Sequence, residues 1–364
     1  MISPEEVEKL IRPDLKAMPA YVPIEPTDVL SRRIDIPEEK IIKLDGNENP
    51  YGCSPRVKLA LANYPYYHLY PDPEQRQLTK ALSKYTGISA RNILAGSGSD
   101  ELIDLILRLF IRPGDKVVNC PPTFGMYPFS TDVCGGKMVS IPRKPDFSID
   151  GAAARKAIDK GARIIFIASP NNPTGNITPK PVILELLSSA AVVVVDEAYY
   201  EFSSTTVAPV VQKYANLIVL RTFSKWAGLA GLRVGYGIFP ANIVRYLMKI
   251  KQPYNVNTAA QVAALESLRD LKYLRGTIKA IVKEKERLIS QLTKFSWLKV
   301  YPSQANFVLC RVIKGNAGEV HKRLQKKGIF IRYFDTSQLK DCLRISIGKP
   351  EQTDVLIASL KEMR

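Results

Sequence analysis

The sequence predicts an α/β protein in which a large, doubly wound domain with a mainly parallel sheet is joined to a smaller α+β domain. Short β-branched runs alternate with helical patterns from about residue 90 to 240, as in a parallel sheet that is buried on both faces. After about residue 259 this alternation stops. Because 364 residues are enough for two domains, we place the large domain at 46–270 and the small domain at 1–45 and 271–364.

Six apolar runs in the first region are predicted to be strands, with helices between them. Right-handed crossovers between such strands produce a doubly wound domain. The predicted strands are "KVVNC" (116–120), "KMVSIP" (137–142), "RIIFIAS" (163–169), "AVVVVD" (191–196), "NLIVLR" (216–221) and "VGYGIF" (234–239).

The region after residue 259 predicts the smaller domain. It begins with a long helical stretch that we expect to be interrupted near Gly276. Four apolar runs then predict an antiparallel sheet, with helices at about 317–327 and 350–363; the runs are "LKVYPS", "NFVLCRV", "IFIRYF" and "LRISIG". The segment up to about residue 45 begins with a short amphipathic helix and is expected to pack against this domain.

The composition argues against several classes of protein. The net charge is +17, but the basic residues are spread along the chain and the densest stretches have helical spacing. They predict solvated helix faces rather than a nucleic-acid site, and a positive field that would attract small anions. The two histidines have no cysteines at ligand spacing, so we expect no metal site. No apolar run approaches the roughly 20 residues that a membrane helix needs.

The cysteines and the first residues predict the compartment. The five cysteines form no CxxC pair and leave an odd one, which indicates free thiols in a reducing environment. The start of the chain has the features of neither a signal peptide nor a transit peptide. We therefore expect a cytoplasmic protein, or one of the plastid stroma if a transit peptide has been removed from this chain.

Functional side chains follow four of the predicted strands. Phe124 comes after "KVVNC", Asn172 after "RIIFIAS", Asp196 and Tyr199 after "AVVVV", and Lys225 after "NLIVLR". Ligands of a parallel sheet bind outside the carboxyl ends of its strands. An aromatic ring, an amide, a carboxylate, a phenol and an amine are thus expected at one edge of one sheet.

A glycine-rich turn, "ILAGSGSDEL", leads into an apolar-periodic helix that has Ser99 and Asp100 at its start. Free backbone amides and the helix dipole make such a start suitable for phosphate. Glu101 occupies the place of the third glycine of a dinucleotide fingerprint, and the sequence contains no GxxxxGK[ST] motif. The turn therefore predicts a site for a single phosphate group.

Taken singly, each residue also has a structural explanation. Asp196 could cap a helix, Asn172 could belong to a turn, Phe124 to the core, Tyr199 to a buried contact and Lys225 to a surface loop. Together they supply what pyridoxal phosphate requires: an amine for its aldehyde, a carboxylate beside its pyridine nitrogen, donors at its phenolate, a stacked ring and a phosphate cup.

Motifs along nearly the whole chain resemble the fold-type I pyridoxal-phosphate aminotransferases. The spacing from lysine to arginine in "TFSKWAGLAGLRVGYG" is the most specific of them, and "LDGNENPYG" with "YPDPE" is similar to the group of this family that acts on histidinol phosphate. The other motifs are "GSGSDELIDL", "PPTFGMY", "SPNNPTG", "VVDEAYYEF", "KQPYNV" and "LRISIG".

The resemblance implies a role for each residue around the cofactor. Lys225 resembles the lysine that bonds to the aldehyde and, once displaced by substrate, moves a proton between the substrate and the cofactor. Asp196 resembles the carboxylate that keeps the pyridine nitrogen protonated, Asn172 and Tyr199 the phenolate donors, and Phe124 the stacking ring, where many relatives have tyrosine. The implied phosphate cup is Ser99, Asp100, Thr222, Ser224 and Arg233.

The resemblance also implies a homodimer with shared active sites. Tyr70 of "YPDPE" resembles a phosphate ligand that reaches in from the second subunit. Arg344 of "LRISIG" resembles the arginine that binds the substrate carboxylate, and the other implied substrate residues are Tyr21, Asn47, Tyr254 and Arg332.

The resemblance implies an amino transfer between L-histidinol phosphate and 2-oxoglutarate, giving imidazole-acetol phosphate and glutamate in histidine biosynthesis. An aromatic-amino-acid aminotransferase would keep the fold and change the substrate, and a threonine-phosphate decarboxylase would change the reaction. A cofactor-binding regulator is a further alternative, but the sequence has no appended DNA-binding module. The products formed with glutamate distinguish these functions.

Overall fold

The computed structural model describes residues 2–363 and contains a seven-stranded and a five-stranded sheet. The large sheet has the order β2-β8-β7-β6-β5-β3-β4. All of its strands are parallel except β8, which is antiparallel to both neighbours. The strands are β2 (Ile93–Gly96), β3 (Lys116–Asn119), β4 (Lys137–Ser140), β5 (Ala162–Ala168), β6 (Val192–Asp196), β7 (Leu217–Thr222) and β8 (Gly235–Ile238).

The predicted doubly wound, mainly parallel sheet is confirmed. Each of the six predicted strands lies within two residues of an observed one, and β2 is an additional strand just before the glycine-rich turn. Successive residues of β6 show why these runs are continuously apolar: Val193 and Val195 belong to one buried cluster and Val194 to another. Both faces of the sheet are therefore covered.

The small sheet has the order β1-β11-β12-β10-β9. Its pairs are antiparallel except that β1 runs parallel to β11. The strands are β1 (Ile42–Leu44), β9 (Leu298–Val300), β10 (Phe307–Val312), β11 (Ile329–Tyr333) and β12 (Cys342–Ser346). Since β1 comes from the N-terminal segment, this part of the segment pairs directly with β11 of the small sheet.

The helices cover both sheets. The α-helices are α1 (Pro4–Glu8), α2 (Pro13–Lys16), α3 (Thr27–Ile34), α4 (Pro55–Ala62), α5 (Arg76–Thr86), α6 (Gly98–Phe110), α7 (Met126–Val133), α8 (Gly151–Asp159), α9 (Lys180–Leu187), α10 (Tyr200–Ser203), α11 (Ala241–Ile250), α12 (Thr258–Arg269), α13 (Leu271–Leu292), α14 (Ala317–Lys326) and α15 (Pro350–Lys361). Short 3₁₀ helices occur at Glu38–Lys40, Ala90–Asn92, Ala208–Lys213 and Ala230–Leu232.

The long C-terminal helical stretch is interrupted, but the predicted position near Gly276 was wrong. The break lies at Asp270, between α12 and α13, whereas Gly276 lies on the exposed side of α13. An exposed glycine costs a helix only about 1 kcal/mol. That cost is too small to divide a helix of 22 residues that is anchored by buried side chains.

The first residues also differ from the prediction of one short helix. Pro13 starts a second helix, because proline is tolerated at the first helical position but not within a helix. The Arg12 guanidinium donates to the carbonyl of Val133 at the end of α7, at 3.1 Å, and the ring of Tyr21 lies 6.1 Å from that of Phe129. This part of the N-terminal segment thus contacts α7 beside the large sheet rather than the small sheet.

In residues 2–363, no helix combines the length and the apolar character needed to cross a bilayer.

Candidate active site

A cavity of about 680 Å³ lies where the carboxyl ends of the large-sheet strands face β11 and β12. Fourteen of the sixteen residues predicted for the site line it: Tyr21, Asn47, Ser99, Asp100, Phe124, Asn172, Asp196, Tyr199, Thr222, Ser224, Lys225, Arg233, Arg332 and Arg344. The convergence inferred from strand ends is therefore present in the fold.

Lys225 follows β7 and points its amine across the cavity. Nζ donates to the carbonyl of Gly46 at 2.9 Å. Burial, together with the nearby cations Arg344 and Arg233, lowers the pKa of Lys225 to about 8, and Glu48 and Asp100 oppose the shift. A larger fraction of this amine is therefore neutral near neutral pH than for an exposed lysine, as a nucleophile or base requires.

Asp196 ends β6 and is only 4% exposed. Its Oδ2 accepts a hydrogen bond from the Tyr127 hydroxyl at 2.8 Å, and Oδ1 accepts from the Ala198 amide at 3.0 Å. Burial raises the pKa of Asp196 to about 6, although both hydrogen bonds act to lower it. A cationic group in the cavity would offset the cost of burying the ionised Asp196 carboxylate. The pyridinium of pyridoxal phosphate is such a group.

A hydrogen-bonded group connects the two sheets on the other side of the cavity. The Tyr199 hydroxyl accepts from Asn47 Nδ2 at 2.9 Å, and Asn47 accepts from the Ser346 hydroxyl of β12 at 2.9 Å. Asn172 Oδ1 accepts from the Arg344 guanidinium at 2.6 Å. This bond fixes the orientation of the Asn172 amide, so that its nitrogen remains a donor.

Arg344 and Arg332 face one another across β12 and β11. Arg344 is 6% exposed, and besides Asn172 it donates to the carbonyl of Asp45. Its Nε is buried and has no partner among the described residues. Burial lowers the pKa of Arg344 to about 10, with Tyr199 opposing the shift. An anion in the cavity would satisfy both the free donor and the buried charge.

The start of α6 and the segment after β7 form a polar cup. The Thr222 hydroxyl donates to Ser224 Oγ at 2.9 Å, and Arg233 pairs with Asp100 at 2.7 Å. The Asp100 carboxylate would repel a phosphate, so its side chain serves to orient Arg233. A Cβ on Gly98 would lie 2.7 Å from the Arg233 guanidinium, so glycine is needed for this arginine to lie over the helix start.

Phe124 is half-buried at the cavity wall, and its ring packs edge-on against Tyr127 at 5.5 Å. Tyr70 and Tyr254 are the two predicted residues that do not line the cavity. Their rings stack on each other at 4.4 Å, and the residues are 81% and 45% exposed. They lie on the surface of the single chain.

The structure adds residues that the sequence analysis missed. Tyr127 is the hydroxyl donor to Asp196, and the Gly46 carbonyl holds Lys225. The ring of Phe334 lies 5.7 Å from the guanidinium groups of both Arg332 and Arg344.

Asn119 ends β3, and its buried Oδ1 at the same cavity has no partner among the described residues. Asn119 could have been found, since it lies one residue before the end of the predicted strand 116–120. Tyr127 lies in the quoted "PPTFGMY" but carries no separate signal.

Comparison with known proteins agrees with this geometry. The model of the aminotransferase class I and II family matches residues 39–360. The chain belongs to this family. It is 49% identical over 357 residues to a histidinol-phosphate aminotransferase from Dehalococcoides mccartyi, covering 98% of each chain. It is 47% identical to the chloroplastic histidinol-phosphate aminotransferase 1 of Arabidopsis thaliana, covering 98% of this chain and 86% of that one.

A solved structure has the same architecture. Histidinol-phosphate aminotransferase from Sinorhizobium meliloti, in complex with pyridoxal-5'-phosphate, superposes with a TM-score of 0.88 at 28% identity and covers 97% of both chains. The present chain is therefore an aminotransferase and its cofactor is pyridoxal 5'-phosphate. The cavity fits this cofactor, since it offers an amine with a lowered pKa, a buried carboxylate that lacks a cation, and a helix start at Gly98 over which the Arg233 guanidinium lies.

Proposed function

We propose that this aminotransferase moves an amino group between L-histidinol phosphate and 2-oxoglutarate, forming imidazole-acetol phosphate and glutamate. Two relatives of 47–49% identity over almost the whole chain carry the name of that activity. The structural observation that supports it best is the pair Arg344 and Arg332 at one wall of the cavity. Both substrates carry an anionic group that such a pair can bind.

The proposed cofactor site uses the residues described above. When bound, pyridoxal phosphate supplies an aldehyde for the substrate amine and a ring that withdraws electrons from the substrate Cα. Lys225 would bond to that aldehyde and serve as the base at Cα, and Asp196 would hold the ring nitrogen protonated. Asn172 and Tyr199 would bind the phenolate oxygen, with Phe124 against the ring. Ser99, Thr222, Ser224 and Arg233 would bind the phosphate, with Asp100 orienting Arg233.

The arginines explain why a phosphorylated substrate suits the site. Guanidinium groups form two-point bonds with carboxylates and with phosphates, so one pair can serve both half-reactions. Arg344 is buried between Asn172 and the Asp45 carbonyl, which fixes its position. Within residues 2–363, Arg332 makes one long hydrogen bond, 3.4 Å from its guanidinium to the Val22 carbonyl, and is therefore freer than Arg344 to adjust to the ligand. Tyr21 and Asn47 complete this side of the proposed substrate pocket.

Substrate preference tests the proposal. Histidinol phosphate should be used far better than histidinol or phenylalanine, because an analogue without the phosphate leaves buried donors unpaired. Arg332→Ala and Arg344→Ala should each reduce the kcat/KM ratio of histidinol phosphate to histidinol by at least about tenfold, since charged hydrogen bonds contribute about 1.5–3 kcal/mol. Arg323→Ala, on α14, is the matched control and should leave the ratio unchanged. Equal kcat/KM values for phenylalanine and histidinol phosphate would favour the aromatic aminotransferase instead.

We further propose that two copies of the chain share their active sites. The segment around Tyr70 has an exposed group of apolar side chains, Tyr66, Tyr67, Leu69 and Tyr70, each about half exposed or more. Clusters of this kind mark interfaces. In a symmetric pair, Tyr70 would reach the phosphate of the opposite site, and Tyr254, stacked on it, would accompany it.

Mixing impaired subunits tests the shared site. Tyr70→Ala and Lys225→Ala proteins should each be weakly active alone. A heterodimer would contain one site with both residues intact. After random exchange we expect about a quarter of wild-type activity, because half of the dimers are mixed and one of their two sites is intact. If heterodimers form, as shown by differently tagged subunits, and activity does not rise, the sites are not shared through Tyr70.

We place the enzyme in a reducing compartment such as the cytoplasm. The support is that its cysteines, Cys53, Cys120, Cys134, Cys310 and Cys342, are all free thiols in the described structure.

A further inference from the structure

A second cavity, of about 370 Å³, lies beside α13 and away from the active site. Its walls come from three parts of the chain: Phe202 of α10, one side of α13 with its C-terminal end, and the segment 300–304, which begins with the last residue of β9. None of its lining residues also lines the first cavity. The space is large enough for a small organic molecule.

Lys285 of α13 is the unusual residue of this cavity. The residue is only 6% exposed, yet its amine makes no hydrogen bond or ion pair with any of residues 2–363, and the nitrogen itself is not fully buried. Its neighbours on the helix are different: Glu284 and Arg287 pair at 2.8 Å, and Arg287 also binds Asp354 at 2.6 Å. A lysine that is buried without a partner carries a cost. Burial lowers the pKa of Lys285 to about 8, and Glu286 opposes the shift.

Other polar groups at the cavity are also available. Ser303 is buried, and its oxygen accepts from the Ala305 amide at 3.1 Å, so that the hydroxyl proton can be donated to a ligand. Glu286 lies on the exposed side of the same helix and also lines the cavity. The interior thus offers a cation and a hydroxyl, the rim offers a carboxylate, and Phe202 and Val282 provide apolar walls.

We propose that this cavity binds a small amino carboxylate, with its carboxylate on Lys285 and Ser303 and its ammonium toward Glu286. A carboxylate would give this amine, which ends a largely buried side chain, the partner that it lacks. The carboxylate of Glu286 at the rim disfavours a dianion such as phosphate and favours a zwitterion. The apolar walls suit an aliphatic or aromatic side chain.

A ligand in this cavity would contact the segment 300–304, which in turn contacts a turn of the active site. Gln304 N donates to the carbonyl of Gly175 at 2.7 Å, and Gly175 lies in the turn that carries Asn172. A Cβ on Gly175 would lie 2.4 Å from Ser303 Oγ, so the two segments are in close contact. The proposal itself concerns binding, and its failure would leave the proposed aminotransferase reaction unaffected.

Calorimetric titration of the holoenzyme with L-leucine tests the site. Wild type should bind L-leucine with uptake of protons near pH 8, because the carboxylate restores the charge of Lys285. Lys285→Met keeps the packing of the aliphatic stem and should weaken this binding at least about tenfold, the effect of about 1.4 kcal/mol. Lys283→Met, which removes an exposed lysine of the same helix, should leave it unchanged.

Further titrations, with other variants and with analogues of L-leucine, distinguish this site from the active site and identify the chemical groups that it binds. Arg344→Met should retain the binding that depends on Lys285. Isocaproate, which lacks the ammonium, should bind more weakly than L-leucine, and isoamylamine, which lacks the carboxylate, should not bind. Glu286→Lys changes only an exposed position and should also weaken L-leucine binding. Identical isotherms for wild type and Lys285→Met, or phosphate binding at Lys285 in preference to L-leucine, would overturn the proposal.

Discussion

Replacing Lys225 by alanine should lower kcat for transamination by at least about 10⁴-fold, the upper end of what a positioned acid–base group contributes. The residue is expected to act twice, as the amine that bonds to the cofactor and as the base at the substrate Cα. Its amine is held by the Gly46 carbonyl at 2.9 Å, and no other lysine lines the cavity among residues 2–363. No neighbouring side chain can therefore replace it.

Three measurements separate this role from a structural one. Lys249→Ala, which removes an exposed lysine of α11, should have wild-type kcat. A small primary amine added to Lys225→Ala should restore part of the activity, because the deletion leaves space for it in the cavity. In wild type, borohydride reduction followed by peptide mapping should recover the cofactor on Lys225. Recovery on another lysine would refute the assignment.

Replacing Asp196 by asparagine should lower kcat by about 10²–10³-fold, comparable to the loss of one strong electrostatic contact in a site that excludes water. The variant has nearly the same shape, so folding and some cofactor binding should persist. What it loses is the negative charge that stabilises a protonated ring nitrogen. Turnover close to that of wild type would mean that Asp196 serves only in the turn that its Oδ1 makes with the Ala198 amide.

Tyr127→Phe changes the surroundings of Asp196 while leaving the Asp196 carboxylate itself in place. It keeps the ring stacked on Phe166 at 4.7 Å and removes only the hydroxyl that donates to Asp196. That hydrogen bond lowers the pKa of Asp196, so its loss should raise the pKa. Activity needs the ionised carboxylate, and the acid limb of the pH–kcat profile should therefore move to higher pH. An unchanged acid limb would show that this limb does not report Asp196.

The strands and the residues at their ends could be predicted because one physical rule governs both. A strand covered on two faces must be apolar throughout, as in β6, and polar residues appear where it leaves the sheet. Parallel order then brings those ends to one edge, which is why Asn172, Asp196 and Lys225 could be expected to meet. The resemblance to a known family supplied their roles.

The remaining contacts depend on approaches between distant segments, for which the sequence has no local signal. Gly46 and Lys225 are 179 positions apart, and Asn47 and Ser346 are 299 apart. Asn47 moreover adopts a left-handed backbone conformation, with φ of 54°. Asparagine tolerates this conformation, but its presence in a sequence does not predict it. The packing of Tyr21 near α7 is another such contact.

A single-turnover reaction of the purified holoenzyme with L-histidinol phosphate, without an acceptor, tests the central claim most directly. Because the cofactor holds one amino group per site, we predict one equivalent of imidazole-acetol phosphate per subunit. Subsequent addition of 2-oxoglutarate should release one equivalent of glutamate. Product formation from phenylalanine but not from histidinol phosphate, or release of carbon dioxide from threonine phosphate at a comparable rate, would contradict the account.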